Sequence, residues 1–169
     1  MKLNNILLVF QVILMYIIHI LFLVMMLIIN NDSMANLNVL IYIFLGLLFV
    51  LIANSLYLII LGIINIKKNI NNSYKLVMIV KLSLIPWYII NFIIITLLFI
   101  GFLNPFLWFA VPILILLGML LTYLFMIATS MPNISCLISE IIRYKSLKKI
   151  IVLIFHFIFC LDVIGSIIV

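Results

Sequence analysis

The chain has 169 residues, of which 70% are hydrophobic and 7% are charged, and its formal net charge is +6. A soluble domain is about half apolar and about a quarter charged, so this composition argues against a soluble globular domain. A lipid bilayer can surround the outward faces of apolar helices. The sequence therefore predicts an integral membrane protein.

Five hydrophobic segments follow one another along the chain, and each has about the 20 residues that a helix needs to cross a bilayer. They cover residues 6–29, 39–66, 76–102, 106–128 and 150–169. The first is longer than the apolar core of a signal peptide, which has about 7–15 residues. We therefore predict one all-α membrane domain over residues 1–169 with five transmembrane helices.

The cationic residues fall on one side of this predicted arrangement. With a cytoplasmic N-terminus, Lys2, the group Lys67–Lys75 and the group Arg143–Lys149 all face the cytoplasm. Cytoplasmic loops of membrane proteins are enriched in Lys and Arg, so we predict the N-terminus inside and the C-terminus outside. Cations beside apolar spans are expected to contact anionic lipid head groups rather than nucleic acid. The candidates for this contact are Arg143, Lys145, Lys148 and Lys149.

The connection before the last segment has its own helical pattern. Apolar residues recur at helical spacing in it, at Ile134, Leu137, Ile138, Ile141 and Ile142. One apolar stripe beside a polar face is typical of a helix that lies at a membrane surface. We predict a short interfacial helix over residues 133–148, separated from the fourth span by Pro132 and capped by Asn133. The alternative is a cytoplasmic extension of the last span.

Four predicted spans each carry one strongly polar residue at a similar depth, about 18–22 Å from the cytoplasmic end at the rise of an α-helix. These residues are His19, Asn54, Asn91 and Asp162. Polar residues inside a span are the first place to look for function. One hypothesis is an intramembrane cluster in which Asp162 pairs with His19. The alternative is that the asparagines only hold helices together and that Asp162 reaches water at the outer surface.

Lys81 and His156 are expected at a shallower level on the cytoplasmic side, where Lys81 could extend its stem to the membrane surface. Pro86 and Pro112 are candidate kinks, because a proline removes one helical hydrogen bond. A kink can line a binding cavity or can simply shape the packing of the helices.

Signatures of an enzyme are missing from the sequence. It contains no HExxH, GxSxG or P-loop motif, and only three carboxylate side chains. Cys136 and Cys160 lack the spacing of metal ligands. We therefore expect no catalytic residues, no metal and no cofactor.

Three segments, KLSLIPWYIINF (residues 81–92), GFLNPFLWFAVP (residues 101–112) and HFIFCLDVIGSI (residues 156–167), carry a resemblance to known sequences. In them the chain resembles a family of small uncharacterised multi-pass membrane proteins from low-GC Gram-positive bacteria. The resemblance implies a bacterial cell membrane and no particular activity. If it holds, the residues to test first are Pro86, Asn91, Asn104, Pro105, His156 and Asp162.

Small size and short loops favour a non-enzymatic accessory, immunity-type or regulatory membrane component that acts through helix contacts. Its partners would be the lipid bilayer and either another membrane protein or a second copy of the chain. The alternative is a small transporter or channel subunit that uses the intramembrane cluster, and a membrane enzyme is the least favoured interpretation.

Overall fold

The computed structural model describes residues 2–30, 37–68, 74–101, 110–145, 147–158 and 161–168. Six helices account for nearly all of these residues. Their bounds are α1 Lys2–Asn30, α2 Leu37–Lys68, α3 Tyr74–Gly101, α4 Ala110–Tyr144, α5 Leu147–Phe155 and α6 Leu161–Ile168.

The first four helices are long and apolar enough to cross a membrane, with apolar stretches of 25, 30, 26 and 35 residues. They correspond to the first four predicted spans. For the described residues, the expectation of an all-helical fold with helices able to cross a membrane is confirmed. Because α1–α3 begin and end within a few residues of the predicted limits, the apolar runs themselves define these helices.

The segment predicted as a fifth span, residues 150–169, differs in the structure. Its described part lies in two short helices, α5 with nine residues and α6 with eight. Nine residues extend about 14 Å as an α-helix, less than half of the hydrocarbon thickness. A tight turn follows α5, in which the amide of Phe157 donates to the carbonyl of Ile154 at 3.0 Å. Beyond this turn, Asp162 at the start of α6 accepts bonds from side chains on α3 and α4.

The predicted break at Pro132 and the separate interfacial helix over residues 133–148 also differ from the structure. Helix α4 continues through Pro132 to Tyr144, and Asn133 lies inside it rather than at its N-terminus. Its 35 residues extend about 52 Å, so it is longer than the bilayer is thick. The carbonyl of Pro132 accepts a bond from the Ser135 hydroxyl at 2.9 Å. This bond does not replace the one that the proline removes, which would have been accepted by the carbonyl of Ala128, four residues before it.

Helix α4 packs against α2 and α3, and α1 packs against α2 and α3. The core between them consists of large apolar side chains, including Leu8, Met15, Leu51, Leu58, Leu84, Trp87 and Phe125. At Gly62 on α2, an added Cβ would lie 2.8 Å from the Cβ of Met131 on α4. Small residues allow membrane helices to approach closely, so this glycine sets the spacing of α2 and α4.

The two prolines predicted to kink spans occupy different positions in their helices. Pro86 lies inside α3 on its exposed side. Pro112 is in the first turn of α4, which begins at Ala110. A first-turn proline has no hydrogen bond to remove, so nothing in the backbone requires a kink at Pro112.

Candidate functional site

The most strongly polar part of the interior lies where α3, α4 and α6 meet. The Lys81 ammonium contacts Oδ2 of Asp162 and donates to the carbonyl of Met126 at 2.9 Å. The other carboxylate oxygen, Oδ1, accepts from the Ser130 hydroxyl at 2.5 Å and lies 2.9 Å from Nδ1 of His156. All four side chains are buried. We call Lys81, Ser130, His156 and Asp162 the C-terminal polar cluster.

Local structure positions Asp162 and His156 in this cluster. Asp162 is in the first turn of α6, where a carboxylate interacts favourably with the helix dipole. His156 follows the end of α5, and Gly165 lets α6 lie close to it. An added Cβ at Gly165 would be 3.2 Å from the Cβ of Phe155 and 3.4 Å from Cε1 of His156. The cluster therefore depends on the turn between α5 and α6.

Electrostatics make the cluster a strong attachment for α6. The Lys81 and Asp162 side chains are both fully inaccessible, so each charge depends on the other in place of water. Removing one partner of a buried ion pair typically costs about 3–5 kcal/mol, because the remaining charge is uncompensated. The pair thus ties α6, which is too short to cross the bilayer, to helix α3.

Some buried polar atoms near the cluster have no partner among the described residues. They are Nε2 of His156 and both amide atoms of Asn133. Nδ1 of His156 faces the Asp162 carboxylate, so it is the nitrogen that donates in this bond.

A second polar group links α1 to α3. The indole Nε1 of Trp87 donates to Nδ1 of His19 at 2.9 Å, and Nε2 of His19 is 3.1 Å from Oδ1 of Asn91. Since Nδ1 accepts, Nε2 must carry the proton that it donates to Asn91. The geometry therefore fits a neutral imidazole that joins two helices.

A third polar group links α1 to α2. The Gln11 amide donates to the Ser55 hydroxyl at 2.6 Å, and the Asn54 amide donates to Oε1 of Gln11 at 2.6 Å. Ser55 in turn donates to the carbonyl of Leu51 at 2.8 Å. Gln11 is fully buried, and sequence reasoning did not single it out. Interhelical bonds of this type hold membrane helices together.

The four residues predicted at one level thus belong to three groups. His19 and Asn91 are together, Asn54 bonds to Gln11, and Asp162 bonds to Lys81 instead of the predicted partner His19. Residues 150–169 were predicted as one straight span, whereas their described part forms two short helices with a turn between them. Lys81 and His156, which were predicted as a separate shallow pair, are the partners of Asp162.

One signal in the sequence could have found the ion pair. A lysine inside a span needs a carboxylate partner, and the chain has only Asp32, Glu140 and Asp162 to offer. In the sequence, Asp32 falls between the first two predicted spans, away from the cationic groups, and Glu140 falls among the cations near Arg143. Elimination leaves Asp162. The role of Ser130 has no comparable signal, because one serine in an apolar helix is unremarkable.

The C-terminal half of α3 and the N-terminal half of α4 line an open crevice of about 470 Å³. We call it the α3–α4 crevice. Its walls are mostly apolar, and the side chains with polar groups are the half-buried Asn91, the buried Thr122 and the exposed Tyr123. The residues that line it include Asn91, Phe92, Ile95, Leu116, Leu120 and Thr122.

The four cations predicted to meet lipid head groups lie at the corner between α4 and α5. Arg143, Lys145 and Lys148 are exposed, whereas the Lys149 ammonium contacts the carboxylate of Glu140. Among the described residues, no group of three or more His, Cys, Asp or Glu side chains could hold a metal ion.

Comparison with known proteins gives a family but no activity. No curated protein matches the chain, and no solved structure does so either. A model of a family of unknown function matches residues 2–169. The expectation of a family without an assigned activity is therefore confirmed, while the bacterial source stays a prediction. The chain belongs to DUF6652, a family of unknown function.

Proposed function

We propose that the chain is a non-enzymatic component of a membrane assembly, and that it binds a transmembrane helix of a partner membrane protein in the α3–α4 crevice. It acts by binding to that partner within the membrane, as an accessory, immunity-type or regulatory protein does. The observation that carries the proposal is the crevice itself, about 470 Å³ of unfilled space between two membrane-spanning helices.

The shape and chemistry of the crevice suit a helix. Asn91 is half-buried there, and its Oδ1 accepts from His19. Asparagine and threonine are side chains that hold membrane helices together. One turn from Thr122, nothing lies within 4 Å of a Cβ added at Gly118. A partner backbone can therefore come close to α4 at this level.

The proposal includes a topology of four crossing helices with both ends of the chain in the cytoplasm of a bacterial cell. With the N-terminus inside, helices α1–α4 return the chain to the cytoplasmic side at Tyr144. All three cationic groups then remain inside, in agreement with the positive-inside rule. Helices α5 and α6 lie on that side and pack against α4 and α3.

Catalysis is not part of the proposal. The Ser130 hydroxyl donates to the Asp162 carboxylate, and His156 bonds to the same carboxylate oxygen. An activated serine instead needs its hydroxyl bonded to the imidazole that removes its proton. The cluster is also fully buried, which leaves no route for a substrate.

Photo-crosslinking in the cells that express the protein tests the proposal. A crosslinking residue at Phe92, which lines the crevice, should yield one discrete protein adduct, and the same residue at Phe49 on α2 should not. Phe49 is a matched control, since it is 73% exposed and Phe92 is 68% exposed. Leu120→Trp fills the crevice and should remove the Phe92 adduct. Adducts with lipid alone, with a second copy of the chain, or equally from both positions would contradict the proposal.

A second candidate function, a small transporter or channel subunit, is favoured by one observation. A buried ion pair lies beside an imidazole whose Nε2 has no partner among the described residues. Chains of Asp and His in membranes serve as proton relays. This candidate requires the purified wild type to move protons across vesicle membranes and Asp162→Asn to abolish that flux. A wild type without proton flux would rule the candidate out.

A further inference from the structure

Three exposed cations that form no ion pair with another described residue lie at the corner between α4 and α5. Arg143 is in the last turn of α4, Lys145 is between the helices, and Lys148 is in the first turn of α5. The neighbouring Lys149 is neutralised by Glu140 and is not counted with them. We call Arg143, Lys145 and Lys148 the basic corner.

The backbone at Lys145 is unusual for a lysine. Its φ is 49°, in the left-handed region, and its amide closes the end of α4 by donating to the carbonyl of Ile141 at 2.8 Å. Glycine or asparagine normally occupies this position after a helix, because a side chain is strained there. Strained residues that persist are often used for function. A lysine here indicates that its side chain is needed at the corner.

Helix α5 presents an apolar stripe next to the basic corner. Four exposed side chains lie on one face of this helix, at positions i, i+3, i+4 and i+7. They are Leu147, Ile150, Ile151 and Ile154. The helix also packs against α4 and α6, so the stripe points away from the rest of the protein. Tyr144, the last residue of α4, is 62% exposed and lies between Arg143 and Lys145 of the basic corner. Tyrosine at this level is typical of the membrane–water interface.

We propose that the basic corner and the α5 stripe together bind an anionic phospholipid. The three cations hold its phosphate, and the stripe lies among its acyl chains. Charge complementarity and the apolar stripe argue jointly for this ligand, because a nucleic acid or a free anion would match the cations and leave the stripe unused. The inference is independent of the helix-binding crevice, which lies between the C-terminal half of α3 and the N-terminal half of α4.

Lipid titration of the purified full chain in an uncharged detergent tests this inference. Phosphatidylglycerol and phosphatidylcholine with identical acyl chains are compared by the amount of lipid retained in native mass spectrometry. The wild type should prefer phosphatidylglycerol roughly tenfold or more, given the attraction of three cations. The triple variant R143Q/K145G/K148Q should lose this preference. K75Q, which removes an exposed cation at the start of α3, should keep it.

The single variant Lys145→Gly separates a ligand-binding role from a structural one. Glycine suits the left-handed backbone better than lysine, so thermal stability should be unchanged or higher while the preference for phosphatidylglycerol falls. Retention of the preference in the triple variant, or an equal loss in K75Q, would overturn the proposal. So would equal competition by glycerophosphate, which carries the anion without acyl chains and would identify an anion site that does not use the stripe.

Discussion

Replacing Lys81 with methionine removes the ammonium that contacts Asp162 and keeps most of the volume of the side chain. The carboxylate would then remain buried with only Ser130 and His156 as hydrogen-bond donors. Loss of one partner from a buried ion pair costs about 3–5 kcal/mol. For a chain of this length, 1 kcal/mol corresponds to about 2–4 °C in Tm, so Lys81→Met should lower the Tm by roughly 6–20 °C.

A double-mutant cycle measures the interaction itself. Asp162→Leu leaves the ammonium of Lys81 uncompensated and should be about as harmful as Lys81→Met. The double variant K81M/D162L removes both charges and should recover much of the lost stability, because two apolar residues can replace a buried pair at little cost. Thermal unfolding in detergent provides the measurement. Lys75→Met, at an exposed lysine on the same helix, is the control and should change stability by less than about 0.5 kcal/mol. The reasoning is refuted if either single variant is as mild as Lys75→Met, or if the two losses simply add.

Three further outcomes follow from other contacts. Gly62→Ala should clearly lower the Tm, because its Cβ would lie 2.8 Å from the Cβ of Met131. Gly46→Ala is the control and should leave the Tm unchanged, because nothing lies within 4 Å of the added Cβ. Equal effects of the two variants would contradict the close packing of α2 on α4. His19→Leu should destabilise by about 1–3 kcal/mol, because Trp87 and Asn91 lose their partner, and a neutral result in thermal unfolding would argue against that bond network. Gln11→Leu removes the side chain that bonds to Asn54 and Ser55 and should lower the free energy of unfolding by a similar amount. Q11L/N54L should recover part of the lost stability. Simple addition of the two losses would contradict this pairing.

The sequence was most informative where one physical effect dominates. Helices α1, α2 and α3 were predicted at residues 6–29, 39–66 and 76–102, and they are observed at Lys2–Asn30, Leu37–Lys68 and Tyr74–Gly101. The apolar runs of these helices are long and uninterrupted, so hydropathy alone locates them. The described part of residues 150–169 is also apolar but forms a turn between two short helices, and the buried ion pair of Asp162 lies at the start of the second helix.

The residues of the candidate site were predicted, but their hydrogen-bond partners were not. His19, Asn54, Asn91, Lys81, His156 and Asp162 were all singled out as polar residues in apolar segments, and each makes a bond between helices or between α6 and its neighbours. Partners depend on how helices are rotated and where the chain turns, and the hydropathy of one sequence contains neither. The end of α4 was not predicted either. A proline in a soluble helix would favour an end, whereas α4 continues through Pro132.

Location of the two ends of the chain tests the four-helix account most directly. A reporter that is active only in the cytoplasm, fused in separate experiments before Met1 and after Val169, distinguishes four crossings from five. Four crossings leave both ends in the cytoplasm, so both fusions should be active. A fusion after Val169 of K81M/D162L should also be active if α6 remains on the cytoplasmic side. Activity at the N-terminus with an extracytoplasmic C-terminus would mean that residues 150–169 cross the bilayer, and this would contradict the ion pair between Lys81 and Asp162 as the anchor of α6.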